Sequence, residues 1–423
     1  MIQRVKGTQD FIDMRLFNFV ISQIQKHLQE YNFTQISTPI LEHTELFKRT
    51  LGLHTDVVSK EMFLIENKSA SDPEDSICLR PEATASTVRA FLENGITELP
   101  WKVFISGPMF RYERPQKGRF RQFHQTNLEI IGSKSINQDA LLIRMLDRLF
   151  KDKFLLDNYA ILINFLGCYE DRNKFNQELK KFLEQITDKL CQNCLERKDK
   201  NPLRIFDCKN PSCKEIYLKA PKTIEHLCKD CDAEWKQLQT TLELTSVSFA
   251  HSSNLVRGLD YYDKTVFEFS SADLGAQNAF CGGGRYDRLV SEISQEKYNQ
   301  PAVGAAIGIE RLLLLVEMFQ NKLPIPELPS LYLIIPLSKD QQLLALLLAN
   351  QLSSNNITHD ILFDDVSVKS LMRKANKMGA KFCLILGSQE QENHEVTVKD
   401  MTLGTEQKIK QINLVDLIKK KAF

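Results

Sequence analysis

No apolar run in this sequence approaches the roughly 20 residues that a helix needs to cross a bilayer, so nothing in it reads as a membrane span. The opening MIQRVKGTQDF lacks the apolar stretch of a secretory signal peptide, and a soluble, cytoplasmic chain is expected. Neither sign of charge dominates: 55 Lys and Arg face 54 Asp and Glu, a formal charge of +1. A nucleic-acid surface usually shows as an excess of basic residues, so here it would have to be local and offset by acidic surface elsewhere. Internal repeats and low-complexity stretches are absent as well. With 43% apolar and 26% charged residues the 423-residue chain can build cores, which excludes disorder, and its length suits two or three domains.

The pattern of apolar residues sets the organisation. Phe17, Ile21, Ile24 and Leu28 recur at helical spacing and predict a core-facing helix over 14–30. After Asn32 the chain turns β-rich (FTQISTPILE), with Pro39 confining that strand to an edge or an interface. KVFISG (102–107) and QFHQTNLEIIG (122–132) read as strands flanking a charged loop, and Val266–Ser270 and Leu289–Glu292 bracket a glycine-rich turn, CGGGRYDRL. Residues 302–319 read as strand then helix. The stretch 169–245 is rich in Lys, Glu, Asn and Cys with weak strand signals, and is expected to be an insertion within a β-rich domain spanning 1–323. PIPELP, within a linker at 324–330, precedes regular alternation of strand and helix over 331–423. That alternation predicts a small α/β domain with a largely parallel sheet.

Ten cysteines are present. Cys78, Cys168, Cys281 and Cys383 are scattered and are read as small buried hydrophobes. The other six fall between Cys191 and Cys231. Without a secretory signal, metal ligation or reduced thiols are expected in place of a disulfide framework. Cys191-x-x-Cys194 and Cys228-x-x-Cys231 pair at zinc-knuckle spacing, with Cys208 and Cys213 between them. These two pairs are expected to form a tetrahedral structural Zn²⁺ site that braces the insertion and takes no part in catalysis; free thiols are the alternative.

The densest chemistry lies in 110–125, FRYERPQKGRFRQFHQ. Arg111, Arg114, Arg119 and Arg121 crowd there, with Gly118 able to form a turn between the flanking strands. A run of charge is usually a solvated face, but guanidinium groups at this density suit bidentate contacts with phosphate. Phe120 and Phe123 add planes on which a nucleobase could stack. A ligand combining phosphates with a base is therefore expected from the residues alone.

PMFRYERPQKGRFRQFHQ resembles motif 2 of the class II aminoacyl-tRNA synthetases in its histidine-specific form. FTQISTPILEHTELFKR (33–49), followed by TDVVSKEMF (55–63), resembles motif 1, and AVGAAIGIERL (302–312) resembles motif 3. LRPEATA (79–85) and LVRGLDYYDKTVFE (255–268) resemble the histidine-binding segments of the histidyl-tRNA synthetase family. The matches follow the family's order across nearly the whole chain. The resemblance implies an α+β fold: an antiparallel-sheet catalytic domain with helices and an inserted domain, then a C-terminal α/β anticodon-binding domain. It implies ligation of L-histidine to tRNA(His) through a histidyl-adenylate, with ATP, Mg²⁺ and a homodimer built through motif 1.

By the same resemblance, Arg111 and Arg257 would hold the α-phosphate, Arg257 lying also beside the histidine carboxylate. Arg311 would bind the ATP tail, Phe123 would stack on adenine, and Glu113 would contact the adenine side. Glu129 and Tyr262 would hold the imidazole, and Glu82, Thr84 and Gln125 the α-amino end, with Glu82 ionised. Tyr261 is either a histidine contact or a core aromatic. Gln116 and Arg121 match positions that meet the acceptor end of the tRNA. In the C-terminal domain Lys369, Arg373 and Lys377 recur every four residues on one helical face, suited either to RNA or to solvent. Two rivals fit less well. A non-catalytic paralogue of the kind that regulates ATP phosphoribosyltransferase would lack the C-terminal domain and the motif arginines. A threonine or proline enzyme would lack RGLDYY and GRFRQFHQ.

Overall fold

The structure, a computed structural model, describes residues 2–52, 55–66, 76–208, 210–275, 278–364 and 366–420. The chain forms two compact units, Met1–Ile325 and Pro326–Phe423. Among the described residues no helix is long and apolar enough to cross a membrane.

The first unit begins with the helix Arg15–Glu30, whose Phe19, Val20, Ile24 and Leu28 are buried at helical spacing. Pro39 then divides the β-rich stretch in two. β1 (Thr34–Gln35) runs parallel to the edge of a large sheet, and β2 (Leu41–His43) joins a small sheet with β3 (Phe63–Ile65) and β4 (Ile77–Leu79). The large sheet continues through β5 (Trp101–Phe110), β6 (Gln122–Ile131), β7 (Ala160–Phe165), β8 (Ala250–His251), β9 (Asp263–Ser270), β10 (Ala279–Arg285) and β11 (Ala302–Gly308). Its eight strands lie in the order β1-β5-β6-β11-β10-β9-β7-β8, antiparallel from β5 through β7.

Alternation along these strands separates a dry face from a wet one. On β6, Leu128 and Ile130 enter a core shared with the helices Arg15–Glu30, Ile136–Arg148 and Ile309–Val316. Gln125, Asn127 and Glu129 take the opposite face, as the period of two requires. CGGGR is strand, contrary to the expectation of a turn. It pairs along both edges, with β9 and with β11, and Leu289–Ser294 beyond it is helix. Residues 169–245 are helical where described, interposed between β7 and β8. They carry a small core of their own around Phe175, Leu179, Ile205 and Tyr217, while Trp235, Leu238 and Leu242 of the returning helix enter the main core.

The second unit is a sheet of β12 (Leu331–Pro336), β13 (His359–Ile361), β14 (Ala380–Leu386), β15 (Glu395–Asp400) and β16 (Glu406–Lys410), in the order β13-β12-β14-β15-β16. The first three are parallel, as the strand–helix alternation predicts. β15 and β16 add an antiparallel pair, so the sheet is mixed rather than largely parallel. The strand EQKIK buries only Ile409, which leaves little hydrophobic signal to read.

One buried polar knot fastens the large sheet to a helix. Arg285, fully buried at the end of β10, donates from Nε to Asp139 at 3.1 Å and from Nη1 to the Ser133 carbonyl at 2.9 Å and to Asp287 at 3.0 Å. Removing one partner strands a buried charge, so Asp139→Ala should cost about 3–5 kcal/mol. Denaturant unfolding measures this, and a loss below about 1 kcal/mol, the scale of an exposed ion pair, would contradict the role.

Candidate active site

A cleft of about 510 Å³ opens on the wet face of the large sheet. Its floor is β6, β10 and β11. Its walls are the 111–121 loop, the 256–262 segment, the start of the helix Ile309–Val316, and Arg204 and Asp207 from the insertion. The loop 111–121 is a closed hairpin extension: Gln116 and Arg119 bond each other's backbones, and Gly118 adopts φ +70° at its turn.

Four motif arginines share this space. Arg111 donates to the Pro81 carbonyl at 2.9 Å and lies 5.4 Å from the centre of the Phe123 ring. Arg119 is paired with Glu113. Arg257 donates to Glu268 at 2.9 Å, while its Nε is buried without a partner in the protein. Arg311 donates to the carbonyls of Gly118 at 3.0 Å and Ala279 at 2.5 Å. Burial and the neighbouring Arg119 and Arg111 push the Arg311 guanidinium down to about 10. Burial likewise lowers Arg111, against the pull of Glu61 and Glu82. For Arg257 burial acts the same way, but Glu268, Tyr262, Tyr261 and Cys281 together outweigh it and hold the charge more firmly than usual. The cleft thus gathers guanidinium groups, Arg119 and Arg257 paired with carboxylates and Arg111 and Arg311 held on carbonyls, an arrangement suited to a phosphate ligand.

The glycines of β10 make this arrangement possible. A Cβ on Gly282 would sit 2.6 Å from the Arg257 nitrogens, and one on Gly284 would sit 2.9 Å from the Tyr262 ring. Both residues face the cleft, and their bareness lets Arg257 and Tyr262 lie flat on the strand. Gly304 on β11 does the same for Glu129, whose carboxylate would overlap any side chain there.

The deep end is polar and enclosed. Glu129 accepts from the Thr84 hydroxyl at 2.7 Å and from the Tyr286 hydroxyl. Tyr261, Tyr262 and Tyr286 pack together, with ring centres 4.5 Å apart for the first two. Tyr261 lines the cleft and also belongs to a buried apolar cluster. Glu82 accepts from the backbone amides of Thr84 at 2.7 Å and Ala85 at 2.8 Å, at the start of the helix Thr84–Glu93. Burial raises its pKa while these amides favour the ionised form. Gln125 Oε1 and Asn127 Oδ1 are buried with no partner in the protein.

The structure therefore brings together Glu82, Thr84, Arg111, Glu113, Phe123, Gln125, Arg257, Tyr261, Tyr262 and Arg311 around the cleft, with Glu129 buried behind them on the Thr84 hydroxyl. Gln116 and Arg121 lie apart: Gln116 is exposed at the loop tip, and Arg121 stacks 3.8 Å from the Tyr112 ring. Lys369, Arg373 and Lys377 are exposed on the helix Val368–Lys377 of the second unit, opposite the buried Leu371 and Ala375. Asn127, Arg204, Asp207 and Glu268 join the site without having been singled out, and Tyr286 stands behind it on Glu129. Asn127 carried a signal in the alternation of β6, and Glu268 in closing the segment 255–268 on a predicted strand; the others carried none.

The expected zinc set requires correction. Cys191 and Cys194 gather with Cys208 and Cys213, whereas Cys228 and Cys231 gather with Cys168 and Asp171. The two C-x-x-C pairs belong to different clusters, because the chain between them folds back and supplies nearer partners. Cys168 is correspondingly not an isolated buried hydrophobe.

The antiparallel sheet and its arginine-lined cleft define a class II tRNA synthetase core. The family model "tRNA synthetase class II core domain (G, H, P, S and T)" matches residues 63–318, and "Anticodon binding domain" matches 332–421. Among curated proteins, the chain is 40% identical to the histidine–tRNA ligase of Halothermothrix orenii, covering 99% of each. It is also 40% identical to that of Thermodesulfovibrio yellowstonii, covering 99% of this chain and 98% of the relative. Among solved structures, apo histidyl-tRNA synthetase of S. aureus superposes with a TM-score of 0.79 at 31% identity, covering 98% of this chain and 99% of that one. The chain belongs to the histidine–tRNA ligase family.

Two outcomes test the site's geometry. Gly282→Ala should displace the Arg257 guanidinium with little effect on stability, and misplacement on the scale of 1 Å should slow amino-acid activation by about 10²-fold. Unchanged activation would show that the glycine does not set the position of Arg257. The second concerns Glu129, which burial pushes up to about 8 from an ordinary 4.5. The folded, ligand-free protein keeps a proton there that the unfolded chain has lost. The resulting stabilisation is complete below pH 4.5 and lost as pH rises through about 8. Wild-type Tm should therefore fall relative to Glu129→Gln across that window, and a constant difference would contradict the assignment.

Proposed function

We propose that this chain activates L-histidine with ATP, releasing diphosphate, and transfers it from histidyl-adenylate to tRNA(His), releasing AMP. The observation that carries the reading is the convergence, in one cleft, of Arg111, Arg257 and Arg311 on one side and a polar end lined by Thr84, Gln125, Asn127 and Tyr262 on the other, with Glu129 buried directly behind Thr84. A polyphosphate and a small amino acid with a hydrogen-bonding side chain fit those two ends.

In the first step a histidine carboxylate oxygen attacks the α-phosphorus, and the bond to the β-phosphate oxygen breaks. Two anions must meet, and charge grows on the phosphate oxygens. Arg111 and Arg257 stabilise that charge, and binding supplies the alignment. No strong base is needed, since the carboxylate is already a nucleophile. Arg311 holds the tail of ATP. Phe123 offers a ring to adenine, and Glu113, paired with Arg119, lines the same cleft. Glu268, one oxygen engaged by Arg257, supplies a hard donor suited to the Mg²⁺ that ATP carries. Bound Mg²⁺ would neutralise phosphate charge.

The imidazole donates one ring N–H to Glu129 and accepts from Tyr262 at the other nitrogen. Gln125 Oε1, unpartnered in the protein, accepts from the α-ammonium, with Glu82 and Thr84 behind it. An amino acid lacking the ring would leave these buried groups unpaired, which is the basis of selectivity. In the second step the terminal ribose hydroxyl of the tRNA attacks the adenylate carbonyl and AMP leaves. Gln116 and Arg121, outside the cleft, meet the acceptor end in this reading, and Lys369, Arg373 and Lys377 meet the tRNA backbone. A homodimer is supported by Ile40, Leu41, Leu64 and Ile65, exposed apolar residues on and beside the small sheet.

ATP–pyrophosphate exchange should depend on histidine and not on threonine or proline. Arg257→Ala should lower single-turnover activation by roughly 10²–10³-fold, the loss of one transition-state donor. Exchange supported by another amino acid would refute the substrate, and wild-type activation in Arg257→Ala would refute the residue's role. Reversing Lys369, Arg373 and Lys377 to Glu should weaken tRNA binding and flatten its salt dependence without touching exchange. Unaltered tRNA affinity would make that helix a solvated face.

A further inference from the structure

Apart from Cys78, Cys281 and Cys383, every cysteine of the chain belongs to one of two clusters in and at the root of the insertion. In the first, the sulfurs of Cys191, Cys194, Cys208 and Cys213 all lie within 4.8 Å of one another. The Cys191 and Cys208 sulfurs are 3.7 Å apart. A disulfide would require about 2.05 Å. A tetrahedron with Zn–S bonds of about 2.3 Å has edges of about 3.8 Å. The backbone N–H of Cys191 points at Cys213 Sγ from 3.5 Å, a donor of the kind that stabilises a thiolate.

The second cluster is built the same way from different parts. Cys168 caps the helix Tyr169–Gln185 and Cys228 caps the helix Lys229–Leu244, with Cys231 one turn on. Asp171 is buried among them and accepts from the backbone amides of Cys228 at 3.0 Å and Cys168 at 3.4 Å. Its oxygen and the three sulfurs again lie within 4.8 Å of one another. Three thiolates and a carboxylate are an acceptable tetrahedral donor set for zinc.

Each cluster sits where a fastening is mechanically useful. The insertion's own core is small, and Cys194, Cys208 and Cys213 make up part of its buried membership, so apolar burial alone contributes little. The first cluster holds Cys208, which directly follows the segment Pro202–Asp207, against Cys191 and Cys194 at the start of the preceding helix Gln192–Lys200. That segment delivers Arg204 and Asp207 to the active-site cleft, with Arg204 3.3 Å from Asp56 on the catalytic side. The second ties the start of the insertion, just after β7, to the start of the helix that returns into the main core through Trp235, Leu238 and Leu242.

We propose that the insertion holds two separate structural zinc ions, one on Cys191, Cys194, Cys208 and Cys213, the other on Cys168, Asp171, Cys228 and Cys231. The first positions the Arg204 segment against the cleft; the second closes the insertion at its base.

The test is metal analysis of the full chain purified without chelators. Two zinc ions per chain are expected, falling to one in Cys208→Ser, to one in Cys228→Ser and to none in the double variant. The unsubstituted chain gives a readout independent of variant folding: exchange into cobalt(II) should develop the visible and thiolate charge-transfer bands of tetrahedral sites, saturating at two equivalents. Zinc-free protein, with every clustered thiol open to alkylation before unfolding, would overturn the proposal. A single zinc lost equally in Cys191→Ser and Cys228→Ser would also overturn it, in favour of one mixed site. A single zinc lost in Cys208→Ser and kept in Cys228→Ser would overturn the second centre and leave Asp171 as a hydrogen-bonded helix cap.

Discussion

Everything in the catalytic cleft depends on keeping guanidinium groups close together where little water can screen them. Arg111, Arg119, Arg257 and Arg311 line one space, and the lowered pKa of Arg311 registers its burial first and then the neighbouring Arg119 and Arg111. Individual anchors make the crowding tolerable: Glu113 for Arg119, Glu268 for Arg257, and backbone carbonyls for Arg111 and Arg311. The two carboxylates neutralise Arg119 and Arg257, whereas the carbonyls leave the charges of Arg111 and Arg311 in place. A polyphosphate neutralises those with several charges at once, and the gain is largest where charge accumulates during phosphorus transfer. In the proposed reading, repulsion among the arginines and attraction for ATP have the same electrostatic source.

Small residues and buried acids then set where the second substrate can lie. Gly282 and Gly284 give Arg257 and Tyr262 room to press against β10, and Gly304 gives Glu129 room on β11. Their side chains meet in a pocket whose Gln125 and Asn127 oxygens find no partner inside the protein. A strand of bare glycines is weak by itself. Here it is flanked by β9 and β11 along its length, so sheet pairing offsets what the missing side chains forgo. The insertion contributes from the side through Arg204 and Asp207, which makes its internal fastening relevant to the cleft.

What was legible in the sequence was the chemistry concentrated in short segments. The arginines and phenylalanines of 110–125 announced a phosphate and base site because few other roles need that density. The helix over Arg15–Glu30 and the strands on either side of 110–121 followed from periodicity. What was not legible depended on partners distant along the chain. The glycine run reads as a turn until Arg257 and Tyr262 are seen lying on it. Tyr286 and Arg204 reach the site from elements whose local patterns say nothing about a cleft. The two C-x-x-C pairs look like one zinc site by spacing, and only the fold hands Cys208 and Cys213 to one and Cys168 and Asp171 to the other. In the second unit the β15–β16 pair escaped because EQKIK buries a single apolar side chain.

The central claim is that one cleft reads a phosphate with arginines and an imidazole with Glu129, so that both must be satisfied together. Calorimetric binding of non-hydrolysable aminoacyl-adenylate analogues tests it most directly, since they span both ends without needing tRNA or turnover. The histidyl analogue should bind about 10⁴-fold more tightly than prolyl or threonyl analogues, the discrimination of a site built on buried hydrogen bonds. Glu129→Gln should erase most of that difference while leaving affinity for ATP alone unchanged. Equal affinity for the three analogues, or discrimination that survives Glu129→Gln, would contradict the account.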